Sequence, residues 1–496
     1  MTNRLKDLSF SMGDRLFGLS AILCGYLYWA LPGGHGKGLG GALLVIIMVA
    51  FGLIYTHSHG YKQNKRSLLP LGIILLCGAN LFIFDSVLER HLAFLFAQMA
   101  YIYWIAVTVG NLVDRRLSLY TLAEMGRKFF VVPFANFGAC HFSVFYGGRE
   151  KRNGKNILMA LVGLVVAIPI LLAVTRLLIS ADAAFAQMMV MLPMNISHHV
   201  VNMIIQFVFG IPVAFYLYGL LFGEARSRYA VSQKESLDLA ATQVAIIPGA
   251  TVYAIMVSLC GIYLAFMGVQ AGTLFGGFGG YLPTGYTYAE FARGGFFQLC
   301  LVTVINGMVC GFSYIFVRDR RAKAFRFLMA MMAIFTMLLC ITAMSKMALY
   351  ISSYGLTQLR VYTFWFMALV LIIFALVLIR QIATFNGTRA GVLAFVLCFM
   401  VLIYGNVDGQ IAKYNVERYK AGTLKEVDRG AMLHLSAGAS PYLLELYHWE
   451  KDEKFKSEIK FMLNRFDPPS QTKKWNDFNL QAYWAGKSFV ATFKGI

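Results

Sequence analysis

FLMAMMAIFTMLLCITA (327–343), SKMALYISSYGLTQLR (345–360) and VYTFWFMALVLIIFALVLI (361–379) decide the fold of this chain. Two apolar runs, each close to the roughly 20 residues a helix needs to cross hydrocarbon, flank a short polar turn. Lys346 and Arg360 mark the two ends of that turn. Comparable apolar runs recur at 16–31, 39–56, 68–84, 92–110, 157–179, 200–222, 242–267, 296–317 and 390–407. With the two at 327–345 and 361–379 they make about eleven spans. The chain reads as an all-α polytopic membrane protein, with a transmembrane part over 1–407 and a small helical C-terminal extramembrane domain over 408–496. Composition agrees, because 14% charged residues is far below the roughly 25% of a soluble chain. The first run is bounded by Pro32 and followed by no small-residue cleavage site, so it reads as a retained helix rather than a signal peptide.

A net charge of +20 suggests nucleic acid in a soluble protein, but here the basic residues sort by loop. Of 44 Lys and Arg, 24 fall in the N-terminal segment and alternate loops, six in the opposite short loops and rims, and 14 beyond residue 408. The positive-inside rule then puts the N-terminus in the cytoplasm and the C-terminus outside. Nucleic acid is not an expected partner; the lipid bilayer, anionic lipid and other envelope proteins are. The eight cysteines all sit in apolar segments with no CxxC, which fits buried small hydrophobes rather than a disulfide framework.

FFVVPFANFGACHFSVFY (129–146) is apolar but broken by Pro133 and Asn136 and flanked by basic residues on both sides. Those features fit an interfacial or re-entrant segment. Pro169 should kink the fifth span by removing a backbone donor. In the C-terminal region a helix is expected to run on from the last span to Ala421 and stop at Gly422. Thr423 and Glu426 read as a capping box, and Ser440–Pro441 as a helix start. One helix from there should carry YLLELYHWEKDEKFKSEIKFMLNRF (442–466).

Candidate site residues are the ionisable groups of the outer rim, because charge at membrane depth is costly and tends to face an interior or a wet cavity. They are Asp182, Glu290, Arg293, Lys346, Arg360 and Asp408, with Tyr350 and Tyr354. Thr287 and Glu290 make a capping box, and Glu290 and Arg293 stand three apart on one helix face. Lys346, Tyr350 and Tyr354 recur every four residues and share a face. Gly355 suits a left-handed helix end, and Thr357 suits the next N-cap. Arg360 then falls in a first turn, where the helix dipole disfavours a cation. It asks for an anion: Asp182, Glu290, Asp408 or a ligand phosphate or carboxylate. Asp85 and Glu89, in DSVLER (85–90), read as an acidic outside loop that helps to orient the protein. No metal cluster, P-loop, GxGxxG or GxSxG is present, and no cofactor is implied.

Four pieces carry a resemblance: SADAAF (180–185), YAEFARGGFFQL (288–299), SKMALYISSYGLTQLR (345–360) and GNVDGQIAKYNVERY (405–419). On these the chain resembles a bacterial family of polytopic membrane proteins catalogued as a domain of unknown function, forty-one seventy-three in that series and related to forty-one fifty-three. The resemblance implies a bacterial integral membrane protein and supplies no activity or site. The favoured reading is a non-enzymatic envelope module for assembly, regulation or scaffolding. A transporter of a small anionic or amphiphilic solute and an outward-facing transferase on a lipid-linked substrate are the alternatives. Short supply of ionisable residues in mid-span counts against transport, whose coupling sites lie near the midplane.

Overall fold

The computed structural model describes residues 10–32, 38–114, 117–146, 198–226, 249–270, 288–317, 320–466 and 475–494, with parts of 163–185. Its regular secondary structure over those residues is all helical, as the long apolar runs lead one to expect. In chain order the helices are α1 (Met12–Ala30), α2 (Leu39–Ser58), α3 (Leu68–Ile83), α4 (Val87–Val109), α5 (Leu119–Phe130), α6 (Val132–Ala135), α7 (Gly138–Tyr146) and α8 (His198–Ala225). Then follow α9 (Gly249–Gln270), α10 (Tyr288–Phe316), α11 (Lys323–Tyr354), α12 (Gln358–Ile382), α13 (Gly387–Tyr404) and α14 (Val407–Lys420). The chain closes with α15 (Arg429–Leu433), α16 (Ser440–Trp449), α17 (Glu453–Asn464) and α18 (Leu480–Phe493).

Ten of the eleven expected spans coincide with described helices; the fifth, 157–179, with its Pro169, lies mostly outside the described residues. Among the described residues, eight helices are long and apolar enough to cross a bilayer by themselves. α3 is apolar but has 16 residues, short of the usual length. The helices alternate in direction. The basic-poor turns at 84–86 and 355–357 therefore meet at one end of the bundle, and the C-terminal helices pack on that same end.

α1 and α8 cross closely because small residues line the crossing. Ala21 and Ala214 are fully buried, and a Cβ built on Gly25 would run into the Gly210 carbonyl. Close backbone approach through small residues is how helices associate in lipid, where apolar burial gives no net drive. Pro212 interrupts the hydrogen-bond ladder of α8, and the Trp29 indole donates to the Phe209 carbonyl one turn earlier at 3.0 Å. A second group, α9 to α12, has its own core around Met256, Phe296, Met332 and Leu339. It is tied by a chain of bonds in which the Tyr263 hydroxyl donates to Asn306 and the Asn306 amide donates to Thr336.

The 129–146 segment is helical on both sides of Asn136, and its two arms are bent by 41°. Lys128 meets Glu224, Asn136 lies against Gly219 and Gly223, and Ser143 lies against Gly18. The segment therefore stays at the level of the last turns of α8 and the first turns of α1. Asn136 folds its amide back onto the Val132 carbonyl at 2.8 Å, which satisfies one of the groups that the break exposes.

Three local expectations fail. The last span does not run on to Ala421: it ends at Tyr404, and Asn406 takes a left-handed conformation (φ 46°) before α14 starts. Thr423 and Glu426 cap nothing; the next helix starts at Arg429, and the Asp428 carboxylate accepts the Ala431 N–H. The 442–466 stretch is two helices, because Glu450 is extended and Asp452 re-caps the chain for α17. Ser440–Pro441 does open α16 with proline in its first turn.

The α1–α8 crossing sets a test. Gly25→Val should lower the thermal unfolding temperature in detergent, with a destabilisation of roughly 1–3 kcal/mol typical of overpacking. An unchanged melting curve contradicts the close crossing.

Candidate functional site at the junction of the bundle and the C-terminal helices

Part of the rim charge is answered by helix ends. Thr357 caps α12 by accepting the Arg360 N–H, and Gly355 ends α11 with φ 77°. The Arg360 guanidinium reaches back to the Tyr354 carbonyl at 3.0 Å and to the Gly355 carbonyl. It also lies over the Tyr350 ring, 4.1 Å from the centroid, and Tyr350 packs edge-on to Tyr354. The anion that Arg360 meets is thus the negative end of the α11 dipole, exposed where the ladder of carbonyls stops. Lys346 faces α10 at Gly295, which adopts φ 87°. Lys346, Tyr350, Tyr354 and Arg360 therefore belong to one end of α11. Asp182 lies apart and exposed, and its carboxylate accepts the Phe185 N–H at 2.7 Å. The side chains of Glu290 and Arg293 lie outside the described residues.

Asp408 belongs to a different cluster. It stands in the first turn of α14, 1% exposed. Its carboxylate accepts from the Gln358 amide at 2.7 Å and from the Ser436 N–H at 2.9 Å. One residue thus joins the start of α12 to the C-terminal helices. Glu89 faces it from the first turn of α4, fully buried, and close enough for the two charges to repel. The Tyr362 hydroxyl donates to one Glu89 oxygen at 3.3 Å; the other oxygen has no hydrogen-bond partner. Asp85 pairs with Arg90 at 3.4 Å and donates its N–H to Gln481. Arg465, from the end of α17, supplies positive charge to Asp408 and Asp85; burial pulls its guanidinium below the ordinary value while the two carboxylates oppose that. It donates to the Leu435 carbonyl.

Neutral amides surround this cluster and hold the C-terminal helices in place. Asn415 accepts the Leu356 N–H at 2.7 Å and donates to the Leu356 carbonyl at 2.8 Å. Asn479 donates to the Phe84 carbonyl, Asn476 to the Leu31 carbonyl, and the Leu39 N–H to the Phe478 carbonyl. Arg418 donates to the Ser352 carbonyl. Each partner is a backbone group left open where a span starts or stops, so the C-terminal helices satisfy the rim that helix geometry leaves unpaired.

The sequence reading of DSVLER as an acidic loop is corrected here. Glu89 lies inside α4 under the C-terminal helices and not in a solvated loop. Its position in the first turn of a span was the available signal, since an acid there faces an interior by default. The Glu89 oxygen without a partner remains open to a donor beside the Asp408 carboxylate. Among the described residues no group of three or more His, Cys, Asp or Glu converges to hold a metal ion.

A second polar cluster closes the opposite end. Lys128, 2% exposed, bonds both Glu224 oxygens at 2.9 Å and the Asn111 carbonyl at 2.7 Å. Beside it Asp14 meets His59 at 3.8 Å and Arg226 at 3.6 Å. The His59 Nδ1 bonds the Tyr55 carbonyl at 2.9 Å while Nε2 faces Asp14, so the doubly protonated ring satisfies both. The Asp14 hydrogen bond raises the His59 pKa above its ordinary 6.5.

A family model described as "Domain of unknown function (DUF4153)" matches residues 71–446. No curated protein and no solved structure matches the chain.

Two outcomes are expected. Asp408→Ala strands the Gln358 amide and the Ser436 N–H, and should cost roughly 1–3 kcal/mol of stability. Glu89→Gln keeps the shape and removes one of two like charges, so it should leave the unfolding temperature unchanged or raised. Equal losses in the two variants contradict the geometry. A raised His59 pKa contributes stability that is complete below pH 6.5 and is lost as the pH rises through the folded value. The melting temperature of the protein should fall as pH is raised above 6.5, and His59→Gln should flatten that slope.

Proposed function

The chain belongs to the DUF4153 family, and we propose that it serves as a non-enzymatic module of the bacterial inner membrane, assembling with or regulating other envelope proteins. In this reading the N-terminus is cytoplasmic, residues 1–407 form the membrane part, and residues 408–496 form an extracytoplasmic contact surface. The closer kinship with the forty-one seventy-three series rests on the four sequence pieces quoted above.

One observation carries the reading: the polar groups of the junction are spent on joining the C-terminal helices to the bundle. Asp408 bridges α12 to the Ser436 loop, and Asn415 and Asn479 seal open turns. Groups used in this way build a fixed platform. On that platform the amphipathic helix α17 buries Phe455, Ile459, Met462 and Leu463 and leaves Phe461 68% exposed; Trp449 at the end of α16 is 45% exposed. Exposed aromatic residues on an otherwise charged helix mark an interaction surface. Trp475, Tyr483 and Trp484 are also exposed and lie next to the turns that end α1 and α3, the level at which Trp and Tyr favour the headgroups. The +20 charge and its sorting by loop support the orientation.

The test combines topology with contact. A periplasm-active reporter fused after Ile496 should be active. A photoreactive residue at position 461 should give one dominant adduct with an envelope protein, and Phe461→Asp should reduce the native co-purification of that protein at least severalfold. A cytoplasm-only reporter signal overturns the orientation, and adducts that Phe461→Asp leaves unchanged overturn the platform.

A further inference from the structure

Ser86 and Glu89 stand three residues apart at the start of α4, in the spacing of a capping box. Ser86 is the N-cap, yet its side chain makes no cap bond. The Ser86 hydroxyl, in a residue 4% exposed, has no hydrogen-bond partner, and neither has one oxygen of the fully buried Glu89. Both side chains turn instead toward Tyr362 of α12. The Tyr362 hydroxyl donates to the other Glu89 oxygen at 3.3 Å and lies near the Ser86 hydroxyl. The Asp408 carboxylate of α14 acts on both Glu89 and Tyr362. The loop after α15 closes over the group: the Ser436 N–H donates to Asp408 at 2.9 Å, and the Ala437 N–H to Asp85 at 3.4 Å. The Ser436 hydroxyl is a third buried oxygen without a partner.

The charges of this junction do not balance. Asp85, Glu89 and Asp408 bring three negative charges. Arg90 pairs with Asp85 at 3.4 Å, and Arg465 acts on Asp408 and Asp85. Among these five residues one negative charge is left over. A charge taken out of water without compensation is costly, and open buried oxygens gathered in one place call for a further partner. A water molecule would leave the charge. A proton on Glu89 would cancel it but would add a donor instead of engaging the hydroxyl oxygens. A divalent ion would reverse the sign of the imbalance. A small monovalent cation cancels the charge and takes the oxygens as ligands, and an all-oxygen set suits a hard cation.

We propose that the junction binds a sodium ion on the open Glu89 oxygen and the Ser86 hydroxyl, with Asp408 and Ser436 beside it. Glu89, Ser86 and Asp408 are all buried, so the ion has to enter bare, which favours sodium over the larger potassium. Bound there, it ties the start of α4 to α12 and α14. The ion site stands or falls independently of the contact surface at Phe461.

The test uses the purified full-length protein in detergent, exchanged into choline chloride. Radioactive sodium should bind saturably, at about one ion per chain, and choline should not displace it. Added sodium chloride should raise the unfolding temperature, and potassium or magnesium chloride at the same concentration should raise it less. In choline alone Glu89→Gln should unfold no earlier than the wild type, and it should abolish both sodium binding and the sodium-dependent rise. Ser86→Ala keeps the charge and should weaken sodium affinity about threefold to tenfold. Failure to bind sodium saturably overturns the site, as does saturable binding that Glu89→Gln retains. Should Glu89→Gln not fold, Ser86→Ala decides alone: unchanged sodium affinity in that variant overturns the assigned ligands. Magnesium or calcium displacing sodium at lower concentration than sodium itself overturns the monovalent assignment. An unfolding temperature that rises with falling pH and is indifferent to sodium assigns the missing charge to a proton and overturns the ion.

Discussion

Asn415 holds both backbone groups of Leu356, and much of the structure depends on that double hydrogen bond. The turn between α11 and α12 has to present open N–H and C=O groups at the membrane edge, because two helices stop and start there. Gly355 makes the turn possible with a positive φ, and a Cβ on it would stand 2.5 Å from the Asn415 side-chain oxygen. The turn and α14 are therefore built to fit each other. Once Asn415 is seated, Asp408, two turns earlier on α14, reaches Gln358, and Arg418 reaches Ser352. The same helix thus fixes three points of one rim.

That arrangement explains why charge at the rim is tolerated. An unpaired charge at the edge of hydrocarbon is expensive. Arg360 lies on the carbonyl end of α11 and on the Tyr350 face, and Asp408 accepts two donors. Glu89 is the exception, fully buried with one open oxygen beside a second carboxylate. The opposite end is built on the other principle: Lys128 and Glu224 pair directly and share Asn111. Breaking such a pair by removing one partner leaves a buried charge and costs several kcal/mol. The C-terminal helices are thus fastened to one end of the bundle largely by amide-to-backbone bonds, while a buried ion pair closes the other.

Spans were legible because about 20 apolar residues in a row admit little else. Local caps were legible too: Thr357, Gly355 and Pro441 act as their residue types suggest. Arg360 was recognised as needing an anion, but its partner is a helix end, which carries no residue-type signature. Glu89 looked like loop acid because its surroundings come from helices more than 270 residues later in the chain. The break at Gly405–Asn406 was hidden for a similar reason. Asn406 holds its left-handed conformation with its side chain packed against Gly409 and Gly438 and accepting from Gln481, contacts that only the folded C-terminal region provides. Thr423 and Glu426 matched a capping pattern, yet Asp428 was the better cap and took the helix start.

Hydrogen exchange followed by mass spectrometry tests most directly the claim that the C-terminal helices are fastened to the bundle. Peptides covering 352–360, 405–420 and 475–485 should be protected together and to a similar degree, and Asn415→Ala should release the first two at once. Fast exchange across 405–485 in the unmodified protein, with 352–360 protected independently, would contradict it.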